Sequence, residues 1–177
     1  METKEDVRWV TKLIVESLGE STLKTIGEQC QTHLALHSSL VWDNTKPIPW
    51  QICGIIGLTA KDFSGTVILG FPESVYLGLI SSMLGQAFDK ITHEIADGAA
   101  ELLNMIFGTT KAQLNHQHAL GLQMTLPLVI LGQEVFPRHV MQETSTAIPF
   151  TAPMGTFHLV IGVSRKLKEG PKRLAAA

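Results

Sequence analysis

Two β-rich runs, Gln51 to Thr59 and Gly65 to Phe71, are separated only by Ala60-Lys-Asp-Phe-Ser64. So short a connection predicts an antiparallel hairpin, since parallel neighbours need a much longer crossover. Before the hairpin, Val7, Val10, Leu13, Ile14, Leu18, Leu23 and Ile26 recur every three or four positions. This is the period of a long helix from Lys4 to about Gln31, with a break expected near Gly19 to Ser21. Leu34 to Trp42 alternates like a strand, and Lys46-Pro-Ile-Pro49 then interrupts any ladder as a loop. After the hairpin, Pro72 suits the first turn of a helix whose apolar face is Val75, Leu79, Ile80, Met83 and Leu84, and Gly85 stops it. A further helix is expected from Asp89 or Thr92 to about Leu114, followed by the polar patch Asn115-His-Gln-His118. Strands are then expected at Leu122 to Leu131, Thr144 to Phe150 and Thr156 to Ser164, with a polar connection from Gly132 to Gln142. Helices grouped between hairpins, with no strand-helix-strand rhythm, imply an α+β fold. The expected architecture is an antiparallel sheet of about six strands packed with two or three long helices.

At 177 residues the chain reads as one domain over 1–165, with its N-terminal helix at 1–31 and a core at 51–164. Residues 166–177 read as a flexible tail, and the ending Arg173-Leu-Ala-Ala-Ala177 carries no fold information. Charged residues are only 17% of the chain against 45% hydrophobic, which favours some apolar surface hidden by self-association. The net charge of -2, with no block of Lys or Arg before the tail, argues against nucleic acid as a partner. Cys30 and Cys53 form no Cys-x-x-Cys pair and read as reduced, buried small hydrophobes. No apolar stretch approaches the length of a membrane span, and the charged start Met1 to Asp6 lacks a signal-peptide core. A cytoplasmic protein without membrane contact is expected.

The segment Asp97-Gly-Ala-Ala-Glu101-Leu-Leu-Asn104-Met-Ile-Phe-Gly108 carries the most specific chemistry. Spacings of four, three and four residues put Asp97, Glu101, Asn104 and Gly108 on one helical face, a stripe that extends to Glu94 and Lys111. Ile95, Ala99, Leu102, Leu103 and Ile106 form the opposite face, which should press into the core. Most polar stripes on helices are only solvated, but those are built from good helix formers. Asn and mid-helix Gly each cost about 0.5 to 1 kcal/mol relative to Ala, so helix stability alone would not select them.

Other chemistries find little support. The histidines lack metal-ligand spacing, and His116-x-His118 would splay apart on a helix. Gly54, Gly57, Gly65 and Gly70 make no phosphate loop opening a helix. Ser81 and Ser82 lack a nucleophile's context. A helix that offers Glu and Asn without nucleophile, metal cradle or phosphate loop can still assist chemistry whose other parts come from a partner.

The ordered segments Gly54-Ile-Ile-Gly57-Leu-Thr, Ser64-Gly-Thr-Val-Ile-Leu, Met83-Leu-Gly85 and Asp97-x-x-x-Glu101-x-x-Asn104-Met-Ile-x-Gly108-x-x-Lys111 resemble the CheX branch of the CheC/CheX/FliY chemotaxis phosphatases. Leu126-Pro-Leu-Val-Ile-Leu-Gly132, Ile148-Pro-Phe150 and Gly155-x-Phe157 follow in the family's order, so the resemblance covers roughly Gly54 to Ser164. It implies a CheC-like fold and dephosphorylation of a phosphorylated CheY-like receiver domain in chemotaxis or two-component signalling. In that reading Asn104 orients the attacking water, Glu101 anchors the partner by pairing with a lysine at its phosphorylation site, and Asp97, Gly108, Lys111 and Glu94 support the contact. The chain would need no cofactor or metal of its own, because the regulator supplies both acyl phosphate and Mg²⁺.

A single Asp-x3-Glu-x2-Asn motif and the apolar composition favour the CheX branch, whose members typically pair into homodimers by joining sheet edges. Departures from the family pattern are Thr109-Thr110, where small or amide residues are more usual, the Gly98-Ala-Ala100 face, and the longer Trp42 to Trp50 segment. They bear on which regulator is recognised, because contacts beyond the catalytic pair set specificity. The alternative from another class is a non-catalytic adaptor that uses the same fold to bind a response regulator or a flagellar-switch component.

Overall fold

The computed structural model describes residues 4–42, 50–135 and 145–166. The hairpin forms as its spacing predicts: β3 (Trp50–Thr59) and β4 (Phe63–Phe71) pair antiparallel from Ile52 opposite Phe71 to Thr59 opposite Ser64. In chain order these strands follow helix α1 (Lys4–Gln29) and two short strands, β1 (Ala35–Leu36) and β2 (Leu40–Val41). After the hairpin come helices α2 (Glu73–Leu84) and α3 (His93–His118). The strands β5 (Gln123–Met124), β6 (Leu128–Val135), β7 (Ser145–Ala152) and β8 (Gly155–Arg165) complete the chain. They form one antiparallel sheet in the order β1-β7-β8-β4-β3-β5, with β2 also on β7 and β6 also on β3. The α+β class is as expected.

Eight strands among the described residues replace the expected six or so, because two of the expected runs are split. Leu34 to Trp42 contributes two separate two-residue contacts with β7. Leu122 to Leu131 divides at Thr125-Leu-Pro127, where Pro127 has no N–H for a ladder. Thr125 holds the interruption to β3 instead, its N–H donating to the Gly57 carbonyl and its hydroxyl accepting from the Gly57 N–H, both at 2.9 Å. Part of the connection expected over Gly132 to Gln142 continues β6 as far as Val135. The Lys46 to Pro49 loop, the rest of that connection and the tail beyond residue 166 lie outside the described residues.

Helix α1 runs through Gly19 to Ser21 without the expected break. Poor helix formers are tolerated there because the face is packed: Ser17, Ser21 and Thr22 are buried, and a methyl on Gly19 would sit 3.4 Å from Ile148 Cδ1. Tertiary burial outweighs propensity. Helix α2 begins after Pro72 and ends at Gly85, which adopts the left-handed conformation at φ 69°. Leu84 does not join the apolar face and is 50% exposed. Helix α3 extends past Leu114 to take in Asn115-His-Gln-His118 as its last turn, closed by Ala119 N–H donating to the Asn115 carbonyl.

The helices cover one face of the sheet, and the main core lies between them, from Ile14 and Leu18 of α1 through Ile56 and Leu69 to Leu102 and Ile106 of α3. The opposite face carries a smaller cluster of Trp50, Cys53, Ile68, Val135, Ala147 and Val160. A register shift between Trp50 and Ile52 puts Trp50 on this second face, although Ile52 belongs to the main core. There its ring stacks on Trp42 at 5.6 Å between centroids, beside His158. Gly70 makes room for it, since a methyl at that position would fall 2.2 Å from the indole. The two ends of the otherwise unexplained Trp42 to Trp50 segment thus form an aromatic clasp on the outer sheet face. His158 lies within this clasp, its Nδ1 buried without a partner among the described residues, and burial lowers its pKa to about 4. Cys30 and Cys53 are free, buried thiols, with burial raising their pKa values to about 11 and about 12. No helix among the described residues is long and apolar enough to cross a membrane.

Candidate functional site

Helix α3 is laid across β3 with its apolar face inward. Ala99, Leu102, Leu103 and Ile106 are fully buried, and Ile95 nearly so. Close approach depends on Gly54, where a methyl would come within 2.8 Å of the Ala99 carbonyl oxygen. The stripe consequently faces outward: Glu94, Asp97 and Glu101 are exposed, while Asn104, Gly108 and Lys111 are partly exposed. All six residues share the face that their spacing predicts.

The start of α3 is fixed by a contact that sequence reading missed. Tyr76, fully buried on α2, donates its hydroxyl hydrogen to the carbonyl of Ile95 in the first turn of α3, and the Ala96 carbonyl lies 3.4 Å from the same oxygen. Burial raises the Tyr76 pKa, and the nearby Asp97 charge adds to the effect, so the phenol stays a donor. Gly98 makes this contact possible, because a methyl there would lie 2.4 Å from Ile80 Cδ1 and 2.8 Å from the Tyr76 hydroxyl. The small-residue face at Gly98 is therefore a docking surface for α2. Its signal in the sequence was the glycine itself, set inside a helix without a turn to explain it.

Two asparagines on α3 have contrasting roles. The Asn115 amide is used internally, its Nδ2 donating to the Leu122 carbonyl at 3.0 Å and its Oδ1 accepting from the Leu122 N–H at 2.7 Å. Asn104 and Glu101 have no hydrogen-bond or ion-pair partner among the described residues. Their side chains stand open on this face. Lys111 is partly engaged, donating to Gln123 Oε1 at 3.3 Å and tying the far end of the stripe to β5.

Gly108 is not there for packing against the sheet. A methyl at that position would meet no atom within 4 Å, so the glycine leaves helix backbone open to approach from outside. The two neighbouring threonines divide between inside and outside. Thr110 is buried, with its hydroxyl 2.9 Å from that of Ser21 on α1, whereas Thr109 is exposed and donates to the Met105 carbonyl at 3.0 Å. No group of three His, Cys, Asp or Glu among the described residues is arranged to hold a metal ion.

The family described as chemotaxis phosphatase CheX matches residues 52–151, more than half of the chain, from β3 into β7 with the whole of α3 inside. The chain belongs to the CheX family. Solved structures share its fold. A CheC-like superfamily protein from Shewanella sp. PV-4 superposes with a TM-score of 0.80 at 22% identity, covering 86% of this chain and 97% of its own. The chemotaxis protein CheX from Vibrio vulnificus gives 0.79 at 20% identity, covering 85% and 99%. CheX of Borrelia burgdorferi, solved in complex with CheY, BeF3 and Mg²⁺, gives 0.70 at 17% identity, covering 84% and 96%. No curated protein matches the sequence significantly. The stripe on α3 thus lies within the CheX-family region, while α1, which packs beside it, lies outside the matched residues.

Proposed function

We propose that this chain accelerates hydrolysis of the aspartyl-phosphate of a CheY-like response regulator. The observation that carries the reading is the pair Glu101 and Asn104, unpartnered among the described residues on the open face of a helix whose other face is locked into the core. Family membership, and the complex formed by the Borrelia burgdorferi relative, support a CheY-like receiver domain as the partner.

Phosphoryl transfer asks little covalent chemistry of a protein, since most of the acceleration comes from positioning and charge stabilisation of an in-line displacement. A carboxamide both accepts and donates hydrogen bonds but is no useful base. Asn104 therefore orients the attacking water. Glu101, almost one helical turn earlier, provides a carboxylate for a charge-assisted bond with a lysine at the regulator's site, holding the amide over the phosphate. Asp97 and Glu94 extend the acidic face, and Gly108 lets the partner's backbone come close. Mg²⁺ arrives with the regulator, where it neutralises phosphate charge.

The test is phosphate release from phosphorylated receiver domains, starting with those encoded near the gene. Acceleration by the parent protein is expected, with Glu101→Gln weakening apparent affinity. A parent protein that binds a receiver without accelerating its dephosphorylation would instead be an adaptor.

A further inference from the structure

Met105 and Thr109 continue the line of Glu101 along α3, four and eight positions further on. Facing them is the C-terminal half of α1, and between the two helices opens a groove of about 290 Å³ lined by Lys24, Thr25, Glu28, Gln29, Met105 and Thr109. We propose that this groove is the specificity-determining half of the receiver-docking surface. It would seat a regulator segment that places one apolar side chain over Met105, an acidic group at Lys24 and a basic group at Glu28. The inference rests on the phosphatase reading of the stripe and adds to it what selects the regulator.

Three observations support this occupant. The groove is continuous with the stripe: its α3 wall begins one turn beyond Glu101, and Thr109 directly follows the bare backbone of Gly108. A partner lowered onto Asn104 therefore also meets the groove. Next, Lys24 and Glu28 are exposed and have no ion-pair partner among the described residues, although four residues apart on α1. Finally, the groove suits a protein surface better than a small ligand. Small-molecule pockets are typically about 300 to 1,000 Å³ and enclose most of their ligand. This one lies at the bottom of that range, but it is open and rimmed by opposite charges, so it would not enclose a small ligand. Met105 gives it an adaptable apolar floor, and the Thr109 hydroxyl hydrogen is already donated to the Met105 carbonyl.

The experiment uses a receiver domain that the parent protein dephosphorylates, in its phosphorylated form for kinetics and its beryllofluoride form for binding. Lys24→Glu and Glu28→Lys change exposed side chains that have no partner among the described residues, and Met105→Ala trims the floor. Each charge reversal should raise KM and Kd roughly fivefold to tenfold while kcat stays within about twofold of the parent. Asn104→Ala should do the opposite, lowering kcat with binding retained. Unchanged KM and Kd in all three groove variants would overturn the groove and leave the phosphatase reading standing. A parent protein that acts on no receiver and binds none would overturn both.

Discussion

At Gly108 the backbone of α3 is bare, and a methyl group there would meet no atom of the chain within 4 Å. Alanine is about 1 kcal/mol better than glycine inside a helix, so folding by itself favours Gly108→Ala. That substitution should raise Tm by roughly 2 to 4 °C, a shift expected for about 1 kcal/mol in a chain of this size. If the glycine admits the partner's backbone, the same variant should bind a beryllofluoride receiver more weakly. Calorimetry and a binding titration check the two halves, and a variant that is both more stable and equally tight would remove Gly108 from the interface. Asn104 was legible for a similar reason, as a poor helix former on a regular polar face. Asn115 lacked such a signal, because its role depends on Leu122, which is brought near by the left-handed residues Ala119 and Gly121 after the helix.

Among the elements, α3 is aimed by its neighbours, with β3 beneath it at Gly54 and α2 against its first turn through Tyr76 and Gly98. Gly98→Ala should therefore behave unlike Gly108→Ala on the same helix. The gain in helix propensity is again about 1 kcal/mol, but overpacking against Ile80 and Tyr76 costs typically 1 to 3 kcal/mol. Thermal unfolding should show a lower Tm for Gly98→Ala, and a rise would contradict the clamp. The hairpin and the start and stop of α2 were readable from spacing, Pro72 and Gly85, because those signals are local. The continuity of α1 and the aromatic clasp were not. Both depend on long-range packing, of Gly19 on Ile148 and of Trp50 over Gly70, that no local pattern carries.

For the whole molecule, the sheet ends on one side in β6 among the described residues, where Leu128 is 60% and Leu131 40% exposed, next to Leu126 at 91%. An edge strand with unpaired backbone groups and apolar side chains invites another strand. The sparse charge of the chain agrees with a second copy pairing there. Light scattering of the parent protein should give twice the chain mass, and Leu128→Glu should shift it towards the monomer. A monomeric parent at high micromolar concentration would rule this edge out.

Asn104 is the group proposed to position water at a phosphate carried by the partner. The most direct measurement is the rate of phosphate loss from a phosphorylated receiver domain under saturating Asn104→Ala protein, compared with the parent at equal occupancy. Loss of water alignment should reduce the rate on the order of 100-fold, towards the receiver's own, with receiver binding unchanged and Tm no lower than the parent's, since alanine is the better helix former. A variant that binds as the parent does and hydrolyses at the parent's rate would contradict the account.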